Sequence, residues 1–540
     1  MALFAVFAAA ALAQPATITT VSNNYSNIVS GLPNYGIAQG SIFFIKGSNL
    51  APGTTTLQNP QLKTSLNGVT IQVSINGVNT SPLIYYLSPR QIDAVLPSNT
   101  PVGTGTITVT NNGSSASAPV QVVQSAFGLL TLNGAGTGLI GAYDANNNNI
   151  FLSSTAAANP GDVIVLWGSG LGPISGDDSV APAQTNMTTP ITVYIGGVSA
   201  TVNYHGRSSY PGLDQINVVV PQNVSGCAVS VAVQTGDYIS NFGTMPIAAT
   251  GRTCSDPALG VTSAQLQSLI TKGSYSGGTI NLNQTTTTAI AGIGEGGHPI
   301  PGQTTTATSA SAAFFKVNVP QSFDFSALTQ SVSAGSCVVY TGGGNTPSVV
   351  TGITTTNLNA GPTISGTGPS GSASMSYANG AYNTTLLNGF MAPGAYSFNN
   401  AGGGPDVGAF TAQFTLPSNL QWPDIQSFNN ITRSSGVTIN WTGGDPGTYV
   451  TISGMSLNSG GGQPIFGYFL CTAPTSAGTF TVPPFVLTAL PASSLFAGNT
   501  TSTLAISNIT NPAPFTPSSP AVDYAFIGAT FVTSKLVFYQ

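Results

Sequence analysis

A chain of 540 residues that is 41% hydrophobic has room for three or four domains at about 150 residues each, and enough apolar surface to bury their cores. It carries only 9 Lys+Arg against 14 Asp+Glu, a net charge of -5, so it has almost no field with which to steer a polyanion, and nucleic acid is not an expected partner. Its solubility must rest on Ser, Thr, Asn and Gln, a composition that suits an extracellular β protein.

Residues 1–13, MALFAVFAAAALA, form an apolar run ending in the small-x-small pattern Ala11-Leu12-Ala13, and they read as a signal peptide although no Lys or Arg precedes them. The run is too short to span a membrane, and no later one reaches the length of about 18 residues that a transmembrane helix needs. The expected location is secreted, extracellular or at the cell surface.

The stretch SIFFIKGSNLAP at 41–52 returns as DVIVLWGSGLGP at 162–173, pairing Gly47 with Gly168, Ser48 with Ser169 and Pro52 with Pro173 at a shift of 121. The match continues from VSINGV at 73–78 to VYIGGV at 193–198, and from QIDAVLP at 91–97 to QINVVVP at 215–221. Two tandem repeats over 20–125 and 126–250 follow. Within the first, VTIQVSING alternates apolar and polar residues and ends in the hairpin dipeptide Asn76-Gly77, and GTITVTNNG repeats the device. Short strands with frequent turn signals predict an antiparallel sandwich. In SIFFIKGSNLAP the apolar run reads as a core strand, with Gly47-Ser48 turning it out of the sheet.

The ordered set GxxxxxxGSxLxP, a strand ending in NGV or GGV, a tyrosine-bearing segment, QIDAVLP or QINVVVP, and PVGTGTITV resembles a repeat domain found in large numbers of acidobacterial secreted proteins. That domain is similar to the IPT/TIG branch of immunoglobulin-like folds. The resemblance covers residues 20–250 and implies fold and secretion; it brings no catalytic residues. The second repeat departs from the first by the loop HGRSSYPGLD and by Cys227 and Cys254.

Residues 251–274 read as a linker with a short helix, SAQLQSLITKG, capped by Thr262 or Ser263 and stopped by Gly273. From 275 to 540 the texture stays β without the repeat signature, predicting a C-terminal β-sandwich region of one large or two small units. The fold class is therefore all-β: tandem immunoglobulin-like sandwiches and a C-terminal sandwich region. Four cysteines in a chain with an export signal suggest two disulfides. Locality favours Cys227 with Cys254 and Cys337 with Cys471 among the three connectivities, the second bond tying together the halves of the C-terminal region.

Histidine chemistry could use only His205 or His298, and a carboxylate pair for hydrolysis could join Glu295, the one glutamate, to an aspartate, while a site of aspartates alone would leave no motif. No G-x-S-x-G elbow is present, and aspartates such as Asp144, Asp256 and Asp445 sit in turn contexts. No catalytic residue and no cofactor is expected. Calcium, if bound, would sit at Asp177 and Asp178 in GDDS rather than in DANNNN at 144–149, which reads as a hairpin tip. Trp167 and Trp441 read as core residues, and Tyr85-Tyr86 and the loop residues Tyr204, His205, Arg207 and Tyr210 as an exposed binding patch. The sequence points to a non-catalytic surface, adhesion or scaffold protein. The alternatives are carbohydrate binding through that loop and the C-terminal sandwich, or self-association into filaments or sheets; a polysaccharide hydrolase is the least favoured.

Overall fold

The computed structural model describes residues 15–259, 262–290, 292–293, 299–300, 302–318, 331–343, 354–460, 463–495 and 500–540. The apolar segment 1–13, Glu295 and His298 lie outside them.

Strand Val69–Ile75 buries Val69, Ile71, Val73 and Ile75 and exposes Thr70 and Gln72, the period-two pattern written in its sequence. Asn76 and Gly77 close the following hairpin at φ of 50° and 82°, and Asn112 and Gly113 close another at 47° and 89°. Both are positive, which is why Asn-Gly is favoured there. Two sheets face each other over the first core. One runs Thr17–Asn23, Ile42–Ser48, Gln91–Val95, Leu83–Leu87, and the other is centred on Ser114–Val123, Gly103–Asn111 and Val69–Ile75.

The second sandwich repeats this plan with one addition. Its first sheet runs Ile150–Phe151, Ala142–Asp144, Val163–Ser169, Asp214–Val219, Val202–Arg207, so it gains an outer strand that the first copy lacks. Its second sheet is built on Ile191–Ile195 and Gly226–Thr235, and Ile164, Leu166, Ile216, Val218, Val231 and Val233 fill the space between.

The Gly-Ser that ends the repeated stretch does not leave the sheet. Gly47 and Ser48 remain paired with Ile18 and Thr17, and the chain turns at Asn49, at a φ of 54°. Glycine is required at 47 for another reason: a Cβ there would overlap the Thr17 carbonyl oxygen.

The helix Ser263–Lys272 forms as its sequence predicts. Thr262 is the cap, its Oγ1 accepting from the Gln265 N–H at 3.2 Å while the Thr262 N–H donates to Gln265 Oε1 at 3.0 Å.

Beyond it, a single 14-stranded sheet organises the C-terminal region, its centre formed by Ser274–Thr288 paired parallel to Tyr524–Leu536 and antiparallel to Thr304–Asn318. Two cores lie along this one sheet. One gathers Val338, Trp422, Trp441, Ile452, Phe469 and Leu487, and the other Phe314, Tyr382, Phe398, Phe410 and Phe515. Within this region of β texture the segment PFVL becomes helical at Pro484–Leu487, since proline cannot donate to a ladder but fits a helical first turn.

Both disulfides pair as locality suggests, Cys227 with Cys254 and Cys337 with Cys471. The second does not tie the two halves together. It joins directly opposed residues of the neighbouring strands Cys337–Gly343 and Ile465–Pro474 within one core, and the continuous sheet unites the halves. That same core takes in Ala232, Ile239 and Phe242 of the second sandwich, and Tyr194 stacks on Phe485 at 3.9 Å. Burying Ile239 and Phe242 contributes about 1.5–3 kcal/mol each, so the second sandwich and the C-terminal region are joined by core packing.

Candidate functional site

The loop that distinguishes the second repeat does not project into solvent. His205 and Arg207 belong to strand Val202–Arg207, and only the turn after it is irregular. The Arg207 and Asp214 side chains are 2% and 0% exposed, and their ion pair lies where the two sandwiches meet. Arg207 Nη2 donates to Gly40 O of the first sandwich at 3.0 Å and to Gly172 O at 2.6 Å, while Asp214 Oδ2 accepts from the Gly170 and Leu171 N–H groups at 2.6 and 2.8 Å. A guanidinium presents several donors in a fixed fork, which suits it to clamp carbonyls from two domains at once.

Other junction bonds surround this clamp. Ser169 Oγ accepts the Ile42 N–H at 2.8 Å and donates to Gly212 O at 2.6 Å, and Asn23 Nδ2 donates to Ser169 O at 2.9 Å. The Ser of the repeated Gly-Ser thus serves, in the second copy, as a joint to the first. Tyr210 donates to Gln58 O and packs edge-on against Tyr85, ring centroids 5.3 Å apart. The expectation of an exposed patch is corrected for Arg207, which is buried, and for Tyr85 and Tyr210, which are half-buried against each other across the junction. His205 is half-buried, with Nε2 at 3.1 Å from Thr189 O.

The acidic pair divides its work. Asp178 accepts both the N–H and the hydroxyl of Ser98, each at 2.7 Å, adding a further link between sandwiches, and Asp177 accepts the Ser179 N–H at 2.8 Å in a local turn. Among the described residues no group of three potential ligand side chains gathers around a metal position. Asp144 in DANNNN is buried and paired with Arg252 at 2.7 Å, and the tip of its hairpin turns through Asn148 and Asn149 at positive φ.

A different surface emerges on the outer face of the second sandwich. Phe151, Tyr143, Val165, Asn217 and Tyr204 are directly opposed in register across five adjacent strands, so their side chains share one face. Trp167 and Gln215 oppose each other in the next row. Phe151 is 61% exposed, Tyr143, Trp167 and Tyr204 are half-buried, and Val165 between them is covered. The Tyr143 ring lies 6.1 Å from both Phe151 and Trp167, at interplanar angles of 79° and 49°. Gln215 Nε2 donates to Asn217 Oδ1 at 2.8 Å. Trp167 is therefore a surface residue of its strand and not part of the core between the sheets, whereas Trp441 is buried as its sequence context suggests.

The matching face of the first sandwich is chemically different. Lys46 stands where Trp167 does, its Nζ 4.4 Å from the Phe44 ring, and Gln91 donates at 2.7 Å to Asp93 in place of Asn217. Burial pushes the Asp93 carboxyl up to about 6, with the Gln91 amide and the Lys46 charge opposing the shift. Sequence reading missed the aromatic face because Tyr143 and Phe151 flank a turn and Trp167 sits in an apolar run; the Lys46-to-Trp167 difference was its visible trace.

The fold and these surfaces define a tandem immunoglobulin-like protein with a large C-terminal sheet. No protein-family profile matches the chain, and no curated protein matches it. Among solved structures it is similar to the extracellular region of plexin A4, with 10% identity over 88% of this chain and 30% of that one, at a TM-score of 0.16. It is also similar to SGBP-B from a complex xyloglucan utilization locus in Bacteroides uniformis, with 9% identity, 86% and 96% coverage and a TM-score of 0.15. The titin I9–I11 tandem matches with 7% identity, 70% and 92% coverage and a TM-score of 0.12. The chain spans 19%, 46% and 30% of the length of three of the structures it matches. At these TM-scores none of the likenesses bears on function.

Proposed function

We propose that the protein is a secreted, non-catalytic scaffold of the cell surface or extracellular space, built of IPT/TIG-like modules locked into one body. The observation that carries this reading is the Arg207 clamp, a buried guanidinium bonded at once to Asp214, Gly40 O and Gly172 O across the junction of the two sandwiches. Inter-domain motion is the default unless the interface is large and hydrophobic, and beside the clamp Leu213 of the second sandwich packs on Ile42, Leu62 and Val95 of the first. Two disulfides support an oxidising compartment.

Fractionating the cells that make the protein tests the reading. It should appear in the medium or at the surface with both disulfides formed, and should release no product from a panel of polysaccharide and ester substrates. A reduced cytoplasmic protein, or turnover that survives further purification, would contradict it.

A further inference from the structure

We propose that the outer face of the second sandwich binds a single chain of an uncharged glycan, with Trp167, Tyr143 and Phe151 stacking on sugar rings and Gln215 and Asn217 bonding their hydroxyls. The site is independent of the scaffold reading, which rests on the junction.

Three observations converge on it. First, the repeat's face is extended here: the strand Ile150–Phe151 has no counterpart in the first sandwich, and it brings a phenylalanine that is 61% exposed. Because this mostly exposed ring extends a row of two further rings, the apolar surface here is contiguous and not a single scattered side chain. The positions facing that strand also diverge: where the second copy has Tyr143 opposite Val165, the first has Ser22 opposite Phe44.

Second, the chemistry along the face alternates as a sugar does. Pyranose rings offer C–H faces to aromatic rings and hydroxyls to amides. The bond from Gln215 to Asn217 leaves Gln215 Oε1 as an acceptor and Asn217 Nδ2 as a donor without a protein partner among the described residues. An amide both gives and takes, as a hydroxyl does, whereas the first copy's Asp93 only accepts when ionised. None of Phe151, Tyr143, Trp167, Gln215, Asn217 and Tyr204 is charged, so an anionic glycan would meet no cation in these rows.

Third, the ring geometry selects the form of the ligand. With the Phe151 ring at 79° and the Trp167 ring at 49° to that of Tyr143, the row is a stepped surface and not a plane. A crystalline polysaccharide needs coplanar rings beneath a flat sheet of chains; a stepped row fits one chain that twists along its length. Five strands at about 4.8 Å spacing give the row a span of about 19 Å, the length of a short oligosaccharide.

Native gel electrophoresis of the full-length protein through soluble β-glucan, mannan, xylan or polygalacturonate, with parallel pull-downs on crystalline cellulose and chitin, tests this. Retardation by at least one neutral soluble glycan is expected, weakened about tenfold or more by Trp167→Ala and by Tyr143→Ala, the equivalent of about 1.4 kcal/mol. Phe151→Ser, at the most exposed ring, should weaken binding with an unchanged melting temperature, which separates loss of contact from loss of fold. Lys46→Ala, at the matching place in the first sandwich, should change nothing. The proposal is overturned if no neutral soluble glycan retards the protein, if retention is confined to crystalline or anionic polysaccharide, or if Trp167→Ala and Phe151→Ser both bind as the wild type does.

Discussion

Replacing Asp93 by Asn should stabilise the protein at neutral pH and do almost nothing in acid. Asp93 is 8% exposed, and its carboxyl is raised from 3.8 to about 6, chiefly by burial. A group whose folded value lies above its unfolded one binds its proton more tightly in the folded state. Its cost to stability is therefore full above about pH 6, shrinks as pH falls, and is gone below about 3.8. About two pH units at 1.36 kcal/mol each make that cost about 3 kcal/mol. The second sandwich already carries the substitution: Asn217 occupies the matching position and receives the same bond from Gln215, at 2.8 Å against 2.7 Å. Asp93→Asn should therefore keep the Gln91 bond while removing the buried charge. Scanning calorimetry at pH 7.5 and pH 4 reads the outcome. The transition that includes the first sandwich should rise by several degrees at pH 7.5, and by little or nothing at pH 4. Equal shifts at the two pH values, or a lower transition at pH 7.5, would refute the reasoning.

Arg207→Met should cost about 3–5 kcal/mol in chemical unfolding, because it strands a buried carboxylate, and Asp214→Asn added to it should restore part of the loss. Gly47→Ala, which pushes a Cβ into the Thr17 carbonyl, should destabilise by about 1–3 kcal/mol in the same assay, while Gly53→Ala, where a Cβ meets nothing, should be close to neutral. Removing the Cys337–Cys471 bond by paired serine substitution should cost about 2–5 kcal/mol and lower the melting temperature under non-reducing conditions, leaving Cys227–Cys254 intact by mass spectrometry.

Local physics was legible in the sequence where local physics decides. The alternation in VTIQVSI, the Asn-Gly turns and the Thr262 cap each depend on residues a few positions apart. The disulfide partners followed from proximity along the chain. The role of Gly47 was not legible, because the atom that forbids a Cβ belongs to a strand that enters the sheet 30 residues earlier. The fate of Arg207 was hidden for the same reason: an inserted loop advertises itself by length, but which neighbour it faces is set by how two domains pack. Likewise the 14-stranded sheet depends on Ser274–Thr288 finding Tyr524–Leu536 from the far end of the region, a pairing that no local pattern specifies. At the candidate site, Tyr204 was named from sequence and lies on the aromatic face, while Tyr143 and Phe151 were not, since alternation assigns a face only after strand register is known.

Small-angle X-ray scattering of the monomeric protein tests the central claim most directly. A single conformation with both sandwiches and the C-terminal sheet in fixed relation should reproduce the whole curve, and Arg207→Met should broaden the distance distribution where the first sandwich meets the second. A wild-type curve that only an ensemble of bent and extended arrangements can fit would contradict the account of a locked scaffold.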